Sequence, residues 1–377
     1  MAHDSFDAIV LGVGGMGSAA LLHLARRHTR VLGLEQFDIP HELGSSHGLT
    51  RIIRLAYWED PAYVPLLHRA YELWRELEQL AREKLLVITG SVDAGRPDSR
   101  PIHGALEACR RFDLPYETFD GSSLHQRFPG YRLPPNLGAV FQPDGGFLLS
   151  ERCLTAHVNA ALQRGATVHT NERVIDWDVS GDYAVVHTDR STYRTERLVV
   201  TAGPWAGKIV RALAPLVSVE RQVVMWVTPR RPELFVPDRF PVFYLHADEG
   251  SFYGFPFFPE LGFKIGRYHH LRQIVDPDRV DRACHAEDEL TLRQGIQRYF
   301  PDADGPVSLI KTCLFTNTRD EHFIIDTLSD SPRIVVAAGF SGHGYKFCSV
   351  VGEILADLAL EGHTRHDISL FALERLS

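Results

Sequence analysis

No apolar run in this 377-residue chain approaches the ~18 residues of a membrane-spanning helix. The opening Met-Ala-His-Asp lacks a basic segment and leads straight into an apolar run, so no signal peptide is expected. The closing Glu-Arg-Leu-Ser is not a peroxisomal Ser-Lys-Leu address. A basic stripe is also missing. With 40 Lys+Arg against 48 Asp+Glu the net charge is −8, and the signs are interspersed, which argues against nucleic acid and against a membrane surface as partner. Cysteine is scarce: five residues, an odd number, with no Cys-x-x-Cys pair. That excludes a disulfide framework and a zinc site, and points to a reducing, cytoplasmic compartment. The 19 histidines form no His-Glu-x-x-His or comparable cluster, so no metal is expected. His269 and His270, read as neighbours on a strand, would point to opposite faces. Internal repeats and low-complexity linkers are lacking. What is present is an ordinary globular composition, 44% hydrophobic and 10% aromatic, at a length that suits two closely connected domains.

Phe6-Asp-Ala-Ile-Val-Leu11 has strand composition, Gly12-Val-Gly14-Gly-Met-Gly17 follows at once, and Gly17 to Arg26 reads as a helix. This strand–turn–helix context makes the glycine pattern a dinucleotide fingerprint. Gly12 permits the turn, Gly14 lets a pyrophosphate approach the backbone, and Gly17 packs helix on strand. The helix N-terminus offers N–H groups to phosphate. A second strand, Arg30-Val-Leu-Gly-Leu-Glu35, ends in an acid 18 positions after Gly17, near the ~20 expected for a ribose-binding carboxylate. Glu35 there would bind ribose hydroxyls and repel a 2′-phosphate.

Apolar residues at helical spacing predict an amphipathic helix over 61–82. Residues 84–150 read as short strands and turns, and 151–164 as a helix leading to a strand at 167–169. The stretches 183–188 and 191–194 suggest a hairpin. Arg197-Leu-Val-Val-Thr-Ala-Gly203 is a buried-type strand ending in glycine. Residues 217–310 read as a mostly antiparallel sheet with a helix near 287–299. Arg333 to Ala338 is again a buried strand, followed by Gly339-Phe-Ser-Gly-His-Gly-Tyr-Lys346 and a helix to about Leu360. Nucleotide-type signals therefore stand at the beginning, middle and end, with β-rich segments between. The expected fold class is mixed α/β: a discontinuous Rossmann-type FAD-binding domain (1–85, 151–215 and 311–377) with an inserted, mostly antiparallel substrate domain (86–150 and 216–310). A glycine-bearing strand far downstream favours flavin over nicotinamide.

Four motifs carry a family resemblance: Gly44-Ser-Ser-His-Gly-Leu-Thr-Arg51-Ile-Ile-Arg54, Lys311-Thr-Cys313, Asp320-Glu-His-Phe-Ile-Ile-Asp326 and Gly339-Phe-Ser-Gly-His-Gly-Tyr-Lys-Phe347. Together they resemble the monomeric sarcosine oxidase family, which includes N-methyl-tryptophan and pipecolate oxidases, over essentially the whole chain. The resemblance implies a monomeric flavoenzyme that oxidises secondary amino acids to imines and reoxidises its FAD with O2, giving hydrogen peroxide. It implies FAD held covalently through Cys313, with cofactor contacts also from Gly12, Gly14, Gly17, Glu35, Ser45, Thr50, Val174, Gly203, Trp205, Gly342, Gly344 and Lys346. Lys264 matches the lysine that activates oxygen, and Arg51 the arginine beside the flavin. His47, Tyr253 and His269 match further active-site positions. Arg54 and Lys346 match the pair that binds the substrate carboxylate.

Two positions depart from the family pattern. Phe315 stands where a tyrosine is usual, and Leu49 where an aspartate is common. Both imply a less polar substrate site and a substrate larger or more apolar than sarcosine. The alternatives on the same fold are a primary- or D-amino-acid oxidase, an Amadori-type oxidase, a dehydrogenase with another acceptor, and a flavin-binding protein without turnover. Lys264, Arg54 and Lys346 argue against the last, since holding FAD requires none of the three.

Overall fold

The computed structural model describes residues 4–376; Met-Ala-His at the start and Ser377 at the end, both used in the targeting readings above, lie outside the described residues. An eight-stranded sheet forms the first layer. Its centre is the strand Asp4–Leu11, parallel to Val31–Leu34 on one side and to Thr192–Val200 on the other, with Ser331–Ala338 parallel to the far end of Thr192–Val200. Their C-terminal parts, residues 8–11, 198–200 and 334–338, and the whole of Val31–Leu34 are buried and apolar because both of their faces are covered. The helices Gly15–Arg26, Ser150–Leu162 and Cys348–Glu361 pack together over one face. Gly17 lets the first of these helices close on the end of the first strand: a Cβ there would lie 1.9 Å from the Gly12 carbonyl oxygen.

The second layer is a nine-stranded sheet of segments 91–142 and 218–317, antiparallel except where Val242–Ala247 runs parallel to Ser91–Gly95. Its long pair is Ser218–Val227 with Val307–Asn317. A small sheet of Thr50–Ile53, Gly146–Leu149 and Leu86–Ile88 completes the set. The mixed α/β class with a Rossmann-type parallel centre holds.

Four details differ from expectation. Residues 84–150 contain two helices, Arg100–Arg111 and Gly121–Arg127, besides the short strands. In the first, Ile102, Ala105, Ala108 and Cys109 are buried at helical spacing, a periodicity the proline and glycine content masked. Residues 311–317 pair with the second sheet, although the expected division assigned them to the first. The hairpin partner 191–194 and the strand from Arg197 are one element, Thr192–Val200, antiparallel to Tyr183–Thr188 at one end and parallel to its neighbours at the other. His269 and His270 follow the strand Gly262–Arg267 in a turn, with His269 in the left-handed region at φ +57°, so alternation along a strand does not orient them.

Candidate active site

One elongated cavity runs from the glycine turn to the second sheet. One end is lined by Gly12, Gly14, Glu35, Arg173, Val174, Gly203, Trp205 and Lys208. Gly12, at φ +86°, brings its backbone so close to Thr201 that a Cβ would meet the Thr201 carbonyl oxygen at 2.7 Å. Gly14 precedes the first helix, whose N-terminal N–H groups open on this end. The buried Glu35 carboxylate accepts N–H bonds from Val13 (2.9 Å) and Phe37 (3.1 Å). Burial pushes its carboxyl up to about 7.

The middle of the cavity is positively charged. The loop from Gly44 folds over the first helix, with Ser46 Oγ accepting from Gly15 N–H. Its tip is pinned from the side by Glu151, whose carboxylate accepts the N–H groups of Gly48 and Leu49. Arg51 donates to the carbonyls of Ser45, His47 and Thr50. Its Nη2 lies 3.9 Å from Cys313 Sγ. Lys264 enters from the second sheet, paired across it with Trp226 and Phe255, and its Nζ lies over both rings. Its Nζ donates to Gly48 O (2.6 Å), Thr50 O (3.0 Å) and Thr50 Oγ1 (3.3 Å). Burial, with Arg51 adding to it, pushes Lys264 well below the usual lysine range. His47 is buried with both ring nitrogens unpartnered. Burial, then Arg51 and Lys264, lower it to about 3, so it is a neutral imidazole with one donor and one acceptor to offer. Tyr253, raised by burial, stays a protonated phenol.

At the far end Arg54 and Lys346 converge from residues 292 positions apart in sequence. Arg54 is buried, and its Nη2 donates to both oxygens of Glu59 at 3.1 Å. Its guanidinium lies over the rings of Tyr57 and Tyr244. Lys346 Nζ donates to His343 O (2.6 Å) and Tyr57 Oη (3.5 Å). Burial lowers it to about 7, Arg54 adding to the effect. Aromatic rings close this end: Trp58, Tyr244, Tyr268 and Phe315 line it. Phe315 also fixes a glycine, since a Cβ on Gly342 (φ +76°) would meet its ring at 2.4 Å.

Most expected residues thus line one cavity, including Ser45, Thr50, Gly344 and Cys313. Two expected substrate or catalytic contacts do not. Leu49, at φ +72°, presents its backbone to Glu151 and does not line the cavity, so its lost polarity does not reach the pocket. His269 also lies off the cavity, with Nδ1 2.7 Å from Glu220 Oε2 and Nε2 2.8 Å from Glu321 Oε1. Tyr268 takes the lining position, its hydroxyl donating to Ser341 O, because the turn gives that wall to the preceding residue. Gly17 serves packing alone. Tyr268 is the neighbour that competes with His269 for this position in sequence; Glu59, Glu151, Trp58 and Tyr244 carry no such mark. Of these Glu59, an acid five residues after Arg54, had a signal in spacing. The others depend on tertiary placement.

A family model described as FAD dependent oxidoreductase matches residues 7–358. The monomeric sarcosine oxidase of Streptomyces avermitilis is 40% identical over 378 residues, covering 99% of this chain and 98% of that protein. The N-methyl-L-tryptophan oxidase of Yersinia pestis is 33% identical over 375 residues, covering 98% and 99%. Among solved structures, the open form of NikD, an unusual amino acid oxidase essential for nikkomycin biosynthesis, matches with a TM-score of 0.84 at 26% identity, over 98% of this chain and 97% of that one. The cavity fits the cofactor in the family's description. A glycine turn leading into a helix N-terminus suits a pyrophosphate, Glu35 suits a ribose, and the His47 ring nitrogens, buried and unpartnered among the described residues, suit a polar group of the cofactor or substrate.

Proposed function

We propose that this chain, which belongs to the FAD-dependent oxidoreductase family among the relatives of monomeric sarcosine oxidase, oxidises the C–N bond of a secondary (N-methyl or cyclic) amino acid to an imine, with O2 reduced to hydrogen peroxide. The observation that carries this reading is the joining of two positive sites in one cavity: Lys264 with Arg51 beside Cys313, and Arg54 with Lys346 beyond them. When bound, FAD supplies the two-electron acceptor for the C–N bond and passes those electrons to O2. Cys313, buried in the cavity wall, would hold it through a thioether.

Arg54 and Lys346 are the substrate's carboxylate clamp. Arginine offers a two-pronged fork and lysine a point charge. Fixing the carboxylate fixes the α-carbon and its nitrogen, so orientation is part of the catalysis. A secondary amino group has a pKa near that of lysine, about 10, and arrives protonated. The charge of Arg51, joined by Lys264 in its protonated form, disfavours that ammonium and promotes loss of its proton, leaving the lone pair the reaction needs. These charges also favour negative charge developing beside them. Neutral His47 and protonated Tyr253 add hydrogen bonds without a net charge. The aromatic wall of Trp58, Tyr244, Tyr268 and Phe315 supports a side chain or N-substituent larger or more apolar than that of sarcosine. The imine leaves and is hydrolysed. A monomer in the cytoplasm, divided into an FAD-binding and a substrate domain, completes the reading.

The test is an N-methyl amino acid against its amide, followed by peroxide release. Hydrogen bonds to charged groups contribute ~1.5–3 kcal/mol, so the acid should be favoured in kcat/KM by about ten- to a hundredfold. Equal kcat/KM for the two would remove the clamp.

A further inference from the structure

Behind Arg54 lies an acid that the scheme above does not use. Asp93 stands inside the strand Ser91–Gly95, 1% exposed, flanked across the sheet by Tyr244 and Val140. Among the described residues neither of its oxygens accepts a hydrogen bond. The nearest cation is Nε of Arg54, 3.6 Å away, itself buried and unpartnered. Ser91 shares Asp93's face of the strand and pairs with Gln142 on the next one; Ser91 Oγ and Gln142 Oε1 are unpartnered too. Burying a carboxylate among apolar strands is costly unless a charge answers it, and here that charge is the guanidinium.

The two carboxylates on Arg54 are not equivalent. Glu59 lines the cavity and takes Nη2, whereas Asp93 lies off the cavity and flanks Nε. Glu59 already occupies Nη2 with both of its oxygens, so a carboxylate arriving there requires Glu59 to give way. We propose that Asp93 is a positioning residue for the clamp: it holds the Nε edge of Arg54 from the buried side, so that a substrate's carboxylate exchanges with Glu59 alone. The proposal rests on the clamp reading above. The exchange replaces one negative charge by another. Asp93 therefore affects it by anchoring the Nε edge through its own charge, which aims the fork, and not by changing the net charge of the exchange.

The experiment compares wild-type holoenzyme with Asp93→Asn, which keeps the shape and removes the charge; Asp93→Ser, smaller, stands in if that variant yields no folded holoenzyme. Acid and amide substrates are compared, and methoxyacetate, a carboxylate with ether oxygen in place of the amine, is titrated by its perturbation of the flavin spectrum. The expected result is a KM for the acid and a Kd for methoxyacetate raised about tenfold, kcat within about threefold, and the amide unchanged. If wild type already treats acid and amide alike, the clamp reading fails and this proposal with it. If wild type prefers the acid and the variant keeps both its KM and its methoxyacetate Kd, Asp93 does not position Arg54. Parallel losses for acid and amide would mark Asp93 as merely structural and overturn the proposal.

Discussion

Replacing His269 with asparagine should cost stability near neutral pH and almost nothing in alkali. Asparagine tolerates the left-handed backbone at this position, φ +57°, so the change removes the ring without forcing the turn. The imidazole lies between two carboxylates, 2.7 Å from Glu220 and 2.8 Å from Glu321. Burial alone would lower its pKa. The two hydrogen-bonded acids outweigh that and raise it from 6.5 to about 9. A group raised on folding stabilises fully below its unfolded value, about 6.5, and that stability is lost as pH climbs through about 9. At ~1.4 kcal/mol per pH unit the rise corresponds to about 3 kcal/mol at full strength. Glu321 is 43% exposed, and solvent screening reduces this to about 1–2 kcal/mol. Urea unfolding followed by far-UV circular dichroism, near pH 7 and near pH 10, provides the measurement. The variant's midpoint should lie below wild type at the lower pH and approach it at the higher. A deficit of the same size at both pH values would show that the imidazolium holds nothing together.

Cys313→Ser should release flavin into the supernatant on acid precipitation, whereas wild type should stay yellow; free FAD from wild type would sink the covalent link. Lys264→Met removes the charge that lies over Trp226 and Phe255 while keeping an apolar side chain, and should slow reoxidation by O2 about 10²–10³-fold while substrate reduction under nitrogen changes far less. Because the charged form of Lys264 is lost as pH rises through its lowered pKa, the wild-type oxygen step should slow with rising pH; a profile identical in the Met variant would contradict this. Phe315→Tyr should shift preference towards smaller, more polar N-methyl amino acids, and a wild-type kcat/KM highest for sarcosine would remove the claim of a larger substrate.

The glycine turn, Glu35 and the meeting of Arg51, Arg54, Lys264 and Lys346 in one cavity were legible because each sits in a local pattern of strand, turn and helix, or in a long motif. Position along the wall of the cavity was not. Leu49 and His269 belong to the right segments, but a single left-handed residue in each turn decides which side chain faces the pocket. Tyr268 and Trp58 become active-site lining only through sheet register and cavity shape. Asp93 shows the same limit: a lone acid in Ser91-Val-Asp-Ala-Gly95 reads as a solvated strand residue until the strand is found buried on both sides. The helix Arg100–Arg111 was hidden by its proline and glycine, although proline is welcome in a first helical turn.

The eight-stranded sheet carries a consequence for how the protein is made. Its first strand finds one neighbour within the next 30 residues, but the other, Thr192–Val200, emerges some 190 residues later, and Ser331–Ala338 later still. Synthesis at ~5–20 residues per second separates the first strand from the last by roughly 15–65 seconds. Until Thr192–Val200 emerges, roughly 10–40 seconds after the first strand, one edge of Asp4–Leu11 is unpaired, and after that the outer edge of Thr192–Val200 waits for Ser331–Ala338; an unpaired apolar edge invites wrong partners. The glycine turn therefore exists in sequence long before the walls of its cavity exist in space. Cofactor capture becomes a late event in biogenesis, and a chain stalled before residue 338 should depend on chaperones and fail to retain FAD.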